Sequence, residues 1–599
     1  MKKKVIVITV ITVVIVVIAW AVIGTVKPSN PSRRDGGGSI YDEDLSAVDG
    51  SLLASNEVRK KSTSAPGLQE SVVGGGDNNP TSVHVDKVRQ IMIPEAVTIA
   101  DGDEGAFYSN EEYQNVIPTD ISTFSMEEIP QKYDSRDVYG KCFVTETEDQ
   151  GYSSLCWTYA ALGAIESDIL KHSENIGYED IDLSEKHLSY YNLHKSDTQR
   201  AGDISGDYRE LVNSDNEEGA WIFDYDTGYV AVGGVTNYCI SLLTAWKGPV
   251  SEKDVNSFKS MYGKEFLFKD NNETPSDAFD SEYHVQDVGQ ILASGQNRDY
   301  VKRMIAEHGA VSVGVNADSI YWKNHDKNLY SYFDGSVVPT ANHEVLIVGW
   351  DDGYSSSNFG KTPPGDGAWI CKNSWGKGSG ENGYFYLSYY DETACSGNVA
   401  AYSVALPGTE RWYDNNYQAA GFITNLVDAI EDEKNYIYAL TSAGNPYGMM
   451  YEAKGDEELK AIGLMALETY QQYEVEVFVN PKSDEKGIDL SLLQEPDYSQ
   501  KMSSISGGYH TFEFDDPVEL NENDKFFILI KPYTKGRLVF EKADDYVSES
   551  NYDEWNDLLG AVHNHYEASG KSYYISDDGM YMEIETDKDF FVKAYTNNR

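Results

Sequence analysis

Three short stretches of the chain hold residues able to do covalent chemistry. Cys156 lies in QGYSSLCWTYA, His343 in NHEVLIVGW and Asn373 in CKNSWGKGSGENGYFYLSYYD. A thiol, an imidazole and an amide in that order, with Gln150 just ahead of the thiol, meet the needs of peptide-bond cleavage by a cysteine nucleophile. A thiolate attacks carbonyl carbon and a thiol hardly does. Free cysteine titrates near ~8.5, so an imidazolium and a helix N-terminus must bring the thiol down. His343 would hold the proton taken from Cys156 and later pass it to the leaving amine. Asn373 would accept from the other ring nitrogen and fix the imidazole. The side-chain amide of Gln150 and the backbone N–H of Cys156 would form the oxyanion hole.

Residues 157–170 read as the helix that carries the thiol, because Trp157, Ala160, Ala161, Ala164, Ile165 and Ile169 recur at three- and four-residue steps. A second helix is expected over 234–247. The later stretches read as strands: the apolar runs 345–349, 369–371 and 384–390 are bounded by Gly and Pro clusters. The thiol therefore sits on a helix and the imidazole on a sheet, with a cleft between the two lobes for an extended peptide. After about residue 407 the pattern changes to short strands at 461–467, 473–479, 510–514, 526–530 and 590–595. Val475, Val477 and Val479 alternate with Glu474, Glu476 and Phe478, the period of a half-buried strand in a β-sandwich.

These motifs resemble the papain-like cysteine peptidase family. The match lies in Gln150-Gly151, Cys156-Trp157, Asn342-His343 and Asn373-Ser374-Trp375-Gly376, in IPQKYDSRD from Ile129 and in the pair Gly233-Gly234. It covers roughly residues 129–407. The resemblance implies an α+β papain-like fold, a helical lobe plus a β-barrel-like lobe, followed by an all-β sandwich. It also implies a cysteine-type peptidase with catalytic Cys156, His343, Asn373 and Gln150. Gly233, Gly234, Asn342, Glu344 and Trp375 would lie along the substrate path. The glycine pair would offer its backbone to an extended peptide, and Trp375 would shield the His343–Asn373 hydrogen bond. The opening ERWYDNNYQAAGF at 410–422 resembles the lectin-like domain of secreted bacterial papain-like proteins.

The chain departs from the family in four places. Ser153 and Ala231 stand where the family has a disulfide-linked pair of cysteines. His343 follows Cys156 by about 190 residues, against a usual ~130–150; insertions are expected at 193–228 and 352–366. The residue after the histidine is small in the family and is Glu344 here, which would favour Lys or Arg in the neighbouring side-chain pocket.

At 599 residues the chain needs several domains. The expected order is a signal peptide or signal-anchor helix (1–24), a disordered acidic and Gly-rich linker (25–81) and an N-terminal arm or propeptide-like segment (82–128). The protease domain (129–407) and a lectin-like sandwich (408–599) follow. Lys2, Lys3 and Lys4 ahead of the apolar run predict that the bulk of the chain lies outside the cell, and the resemblance implies a bacterial source. A net charge of −50 excludes the basic footprint of nucleic-acid binding. Membrane contact is expected only through an uncleaved N-terminal helix. No cofactor or metal is expected, since Cys-x-x-Cys and His-Glu-x-x-His are absent and the Asp351-Asp352-Gly353 turn is not a full calcium loop. Cys142, Cys239, Cys371 and Cys395 leave two bridges, one or none open. Expected partners are protein or peptide substrates, with a glycan or cell-surface ligand for the C-terminal domain. Two other classes compete: a non-proteolytic adhesin on a protease scaffold, and a transglutaminase-like acyl transferase, which would need Asp in place of Asn373.

Overall fold

The computed structural model describes residues 129–196, 208–212, 229–252, 275–421, 438–441, 446–542, 561–565 and 568–599, apart from isolated positions inside those ranges. The expected leader (1–24), linker (25–81) and arm (82–128) lie outside the described residues, as does most of the 193–228 insertion. Among the described residues no helix is long and apolar enough to cross a membrane.

Among the described residues the longest helix is α1 (Cys156–His172), with every side chain from Trp157 to Leu170 buried. Three alanines and Gly163 keep it slim enough to lie in the middle of the lobe; a Cβ on Gly163 would already touch Leu346 at 3.1 Å. Lys171 and His172 complete its last turn, in accord with the helix dipole, while its first turn holds no acidic residue. Helix α2 (Glu185–Leu193) is capped by Ser184, which accepts from His187 N–H. Helix α3 spans Thr236–Thr244, shorter than expected. The preceding Gly233 and Gly234 remain outside it, and Trp246 turns left-handed (φ 63°) just after it. Helix α4 (Arg298–His308) stops at Gly309, whose φ of +83° suits glycine.

Ten of the sixteen described strands of the main sheet position the site and the joint between the domains. They are β1 (Lys132–Asp134), β2 (His284–Leu292), β3 (Val311–Val315), β4 (His343–Asp351), β5 (Ala368–Lys372), β6 (Tyr384–Ser388), β7 (Asn398–Ala405), β8 (Glu457–Ala466), β9 (Gly507–Leu520) and β10 (Val592–Asn598). Their order is β6–β5–β4–β3–β7–β2–β9–β8–β10, with β1 pairing β4. The sheet of the protease lobe therefore continues into the sandwich without a break. The joint is β2 against β9, where Gly507, Gly508 and Tyr509 face Gln290, Gly289 and Val288. Gly508 has φ +108°, and a Cβ there would run into the Val288 carbonyl. Buried Asp287 closes the joint by accepting from Arg411 Nη2 (2.6 Å) and Thr511 N–H (2.8 Å). Next to it the His284 ring lies between Trp246 and Trp412, stacked at 3.7 Å on each side.

A second sheet orders the strands Gly487–Asp489, Tyr581–Ile584, Ser572–Ile575, Tyr447–Glu452, Lys525–Pro532, Gln471–Val479 and Tyr498–Ser504. Val475, Val477, Ile528 and Ile530 from this sheet meet Ile462, Leu464, Phe512 and Val592 from the main one. The expected alternation holds over 474–477, with the two glutamates outward and the two valines inward, and fails at its end: Phe478 is buried in a separate cluster and Val479 is only half-buried. Cys142, Cys239, Cys371 and Cys395 are all free thiols, so none of the open pairings forms. The Asp351-Asp352-Gly353 turn is taken up by the protein itself. Asp351 pairs with Lys132, and Asp352 with Lys302 and Tyr389.

Candidate active site

Cys156 is the first residue of α1 and is half-buried. The N–H groups of a first helical turn have no intrahelical acceptor and carry the positive end of the dipole, which favours a thiolate there. The loop before it is held without a disulfide. Ser154 N–H donates to Val230 O (2.9 Å), tying the nucleophile loop to the segment that leads into the glycine pair. Ser153, in place of the family's cysteine, is fully buried and donates its hydroxyl to Gln150 O. Gly234 lies flat against Trp157; a Cβ there would sit 2.5 Å from the indole ring.

His343 opens β4 and is buried. Its Nε2 lies 2.8 Å from Asn373 Oδ1. The same Oδ1 accepts from Ser374 N–H at 2.8 Å, which fixes which end of the amide faces the ring. Nε2 must therefore donate, and Nδ1 carries the lone pair of the neutral imidazole. Nδ1 is buried and has no hydrogen-bond partner. Trp375 stacks on the ring at 4.7 Å. Burial pushes the imidazole down to about 4, against the hydrogen bond to Asn373. An imidazolium here needs an anion beside it.

Gln150 is fully buried and locked to the Asn373 segment. Its N–H donates to Ser374 O (2.8 Å), and its Oε1 accepts from Ser374 Oγ (2.6 Å). One hydrogen of its side-chain amide goes to Ser153 O at 2.8 Å, and a primary amide has a second. A small space of about 20 Å³ is lined by Tyr159 and Ala160 of α1, by Glu344, Val345 and Leu346 of β4, by Lys372 at the end of β5, and by Glu148, Asn373 and Ser374. The first turn of the cysteine's helix thus faces the start of the histidine's strand and the asparagine loop. Glu148, beside this space, has its carboxyl lifted to about 8 by burial, with Lys372 pulling the other way.

The remaining expected residues divide. Gly233 and Gly234 edge the nucleophile helix. Asn342 is occupied in holding a loop, accepting from Ala317 N–H (2.8 Å) and donating to Asp318 (3.1 Å). Trp375 covers His343. Ser374 was missed as a functional residue, although it sits inside the Asn-Ser-Trp-Gly motif; its backbone orients Asn373 and its hydroxyl holds Gln150.

A model of the papain family cysteine protease matches residues 129–199 and 225–405, and a lectin like domain model matches residues 435–596. The chain carries a papain-family domain followed by a lectin-like domain. A cysteine protease of Blomia tropicalis is 26% identical over 280 residues, 46% of this chain and 66% of that protein. Cathepsin K of Gallus gallus is 25% identical over 263 residues, 44% of this chain and 61% of that protein. The chain spans less than two thirds of the length of these curated relatives. The solved structure of the cysteine protease and lectin-like domains of Cwp84, a surface layer associated protein of Clostridium difficile, aligns with a TM-score of 0.52 at 20% identity. It covers 84% of this chain and 100% of that one. At that identity the likeness is one of fold, and it extends over both domains.

Proposed function

We propose that the protein is a secreted or surface-anchored cysteine endopeptidase that works through Cys156, His343, Asn373 and Gln150. One observation carries this reading. His343 has Nε2 held by an oriented Asn373 and its face covered by Trp375, while its buried Nδ1 is left bare on a strand packed against the first turn of the Cys156 helix. A ring so prepared is a base awaiting a proton at Nδ1.

The chemistry follows. Cys156 gives its proton to His343 Nδ1, and the thiolate sulfur bonds to the scissile carbonyl carbon. The oxyanion takes hydrogen bonds from the free Gln150 amide hydrogen and the Cys156 backbone N–H. The C–N bond breaks, the proton passes from His343 to the departing amine, and an acyl-enzyme remains. Water, deprotonated by His343, attacks the acyl carbon, and the C–S bond breaks to release the acid. Gly233 and Gly234 would pair with the backbone of the extended substrate. Location at the cell surface rests on the apolar N-terminal run and on the surface-layer association of the protein whose fold is shared.

An epoxide-type thiol-protease reagent followed by peptide mass mapping tests the reading. Cys156 alone should be labelled among the five cysteines, and Cys156→Ala should abolish peptide cleavage while remaining folded. Labelling elsewhere with Cys156 untouched, or undiminished cleavage by Cys156→Ala, would sink it.

A further inference from the structure

We propose that the Ser153 hydroxyl is a positioning group for catalysis: it clasps Gln150 so that the free side-chain N–H of that residue points at the developing oxyanion. The inference rests on the peptidase reading above and adds a residue that acts on the reaction through another.

The two residues hold each other. Gln150 Nε2–H donates to Ser153 O (2.8 Å), and Ser153 Oγ–H donates back to Gln150 O (2.8 Å). Ser153 N–H donates to the same carbonyl at 3.1 Å. Both lone pairs of Gln150 O are thereby taken up by one residue. The chain between them turns through Gly151 at φ +59°, with Gly151 N–H on Asp149 Oδ1 (2.9 Å). Both residues are fully buried, so water does not reach these bonds.

A primary amide is planar, and few contacts suffice to fix it. Gln150 N–H on Ser374 O holds the backbone, Ser374 Oγ holds Oε1 and Ser153 O holds one hydrogen of Nε2. The second hydrogen then has one direction left, set before substrate binds. A donor to an oxyanion is most effective when nothing must reorganise as the charge develops. Of the three contacts, Ser153 O is the one carried by the loop that leads to the nucleophile. All five cysteines are free thiols, so no bridge pins this loop. The Ser153 hydroxyl closes it from the other side, and Ser154 N–H on Val230 O (2.9 Å) gives the clasp a fixed base. A plain structural staple here would affect every reaction of Cys156 alike. A clasp on Gln150 affects only those in which a carbonyl oxygen gains charge.

The test uses the full chain, a fluorogenic Leu-Arg amide and iodoacetamide. Alkylation forms the S–C bond at a tetrahedral carbon and expels iodide, so it needs the thiolate and no oxyanion hole. Ser153→Ala should lower kcat for the peptide about three- to tenfold, the scale of one hydrogen bond, with KM little changed. The rate of Cys156 alkylation should match wild type. Gln150→Ala should lower kcat by on the order of a hundredfold, and adding Ser153→Ala to it should lower kcat no further. An unchanged kcat in Ser153→Ala, equal losses in hydrolysis and alkylation, or additive losses in the double variant would overturn the clasp and leave the peptidase standing. A wild type that neither cleaves the peptide nor reacts at Cys156 overturns the peptidase reading and the clasp with it. Should Ser153→Ala fail to fold, Ser153→Cys, close in volume and a weak donor, is read by the same two rates.

Discussion

The state of His343 depends on a backbone N–H that never touches it. Ser374 N–H fixes the Asn373 amide, Asn373 fixes the Nε2 proton, and Nδ1 is left as the base. Burial alone holds this ring neutral, with a pKa near about 4. We therefore expect His343 to stay neutral from pH 5 to 8 in Cys156→Ala, where no thiolate can pair with it, and to be protonated in wild type. Imidazole carbon or nitrogen chemical shifts would report this, and a ring charged at pH 6 in the alanine variant would contradict it. Glu148 gives a second residue-level test. Its folded carboxyl sits at about 8 and its ordinary value is 4.5. Between those values the folded state holds the extra proton, so the stability contributed is complete below 4.5 and is lost as pH rises through about 8. Urea midpoints should fall between pH 6.5 and 8, and Glu148→Gln should flatten that slope; equal slopes would rule out the assignment. Cys156, His343 and Asn373 were legible because each sits in a short motif with its own chemistry. Ser374 was not. Its hydroxyl meets Gln150 across more than two hundred residues, and no local pattern shows that contact.

At the scale of elements, periodicity found α1 and the strands of both domains, since apolar positions recur there at the spacing that burial requires. It overextended α3, because Gly233 and Gly234 are kept out of the helix to edge the cleft. It gave no sign of the β2–β9 pairing, whose partners are separated by more than two hundred residues and joined through only three positions. Gly508 is the sensitive point of that joint. A methyl group there strains a φ of +108° and strikes Val288 O. Gly508→Ala should cost about 1–3 kcal/mol in chemical denaturation, whereas a change below ~0.5 kcal/mol would mean that the strands can part freely.

For the molecule as a whole, one sheet running through both domains makes the sandwich part of the protease rather than an appendage. Removing residues 408–599 would expose the edge of β2, all nine of whose residues are buried, and would leave Asp287 without Arg411 and Thr511. An uncovered apolar edge promotes aggregation, and an unpaired buried carboxylate destabilises by several kcal/mol. The 129–407 fragment should therefore be insoluble or inactive; a soluble, fully active fragment would refute this view. The seam also has its own optical signature. With His284 pressed between two indoles at 3.7 Å, light emitted by Trp246 and Trp412 is subject to quenching by the imidazole, and any event that pries the two halves apart would brighten it without an added dye.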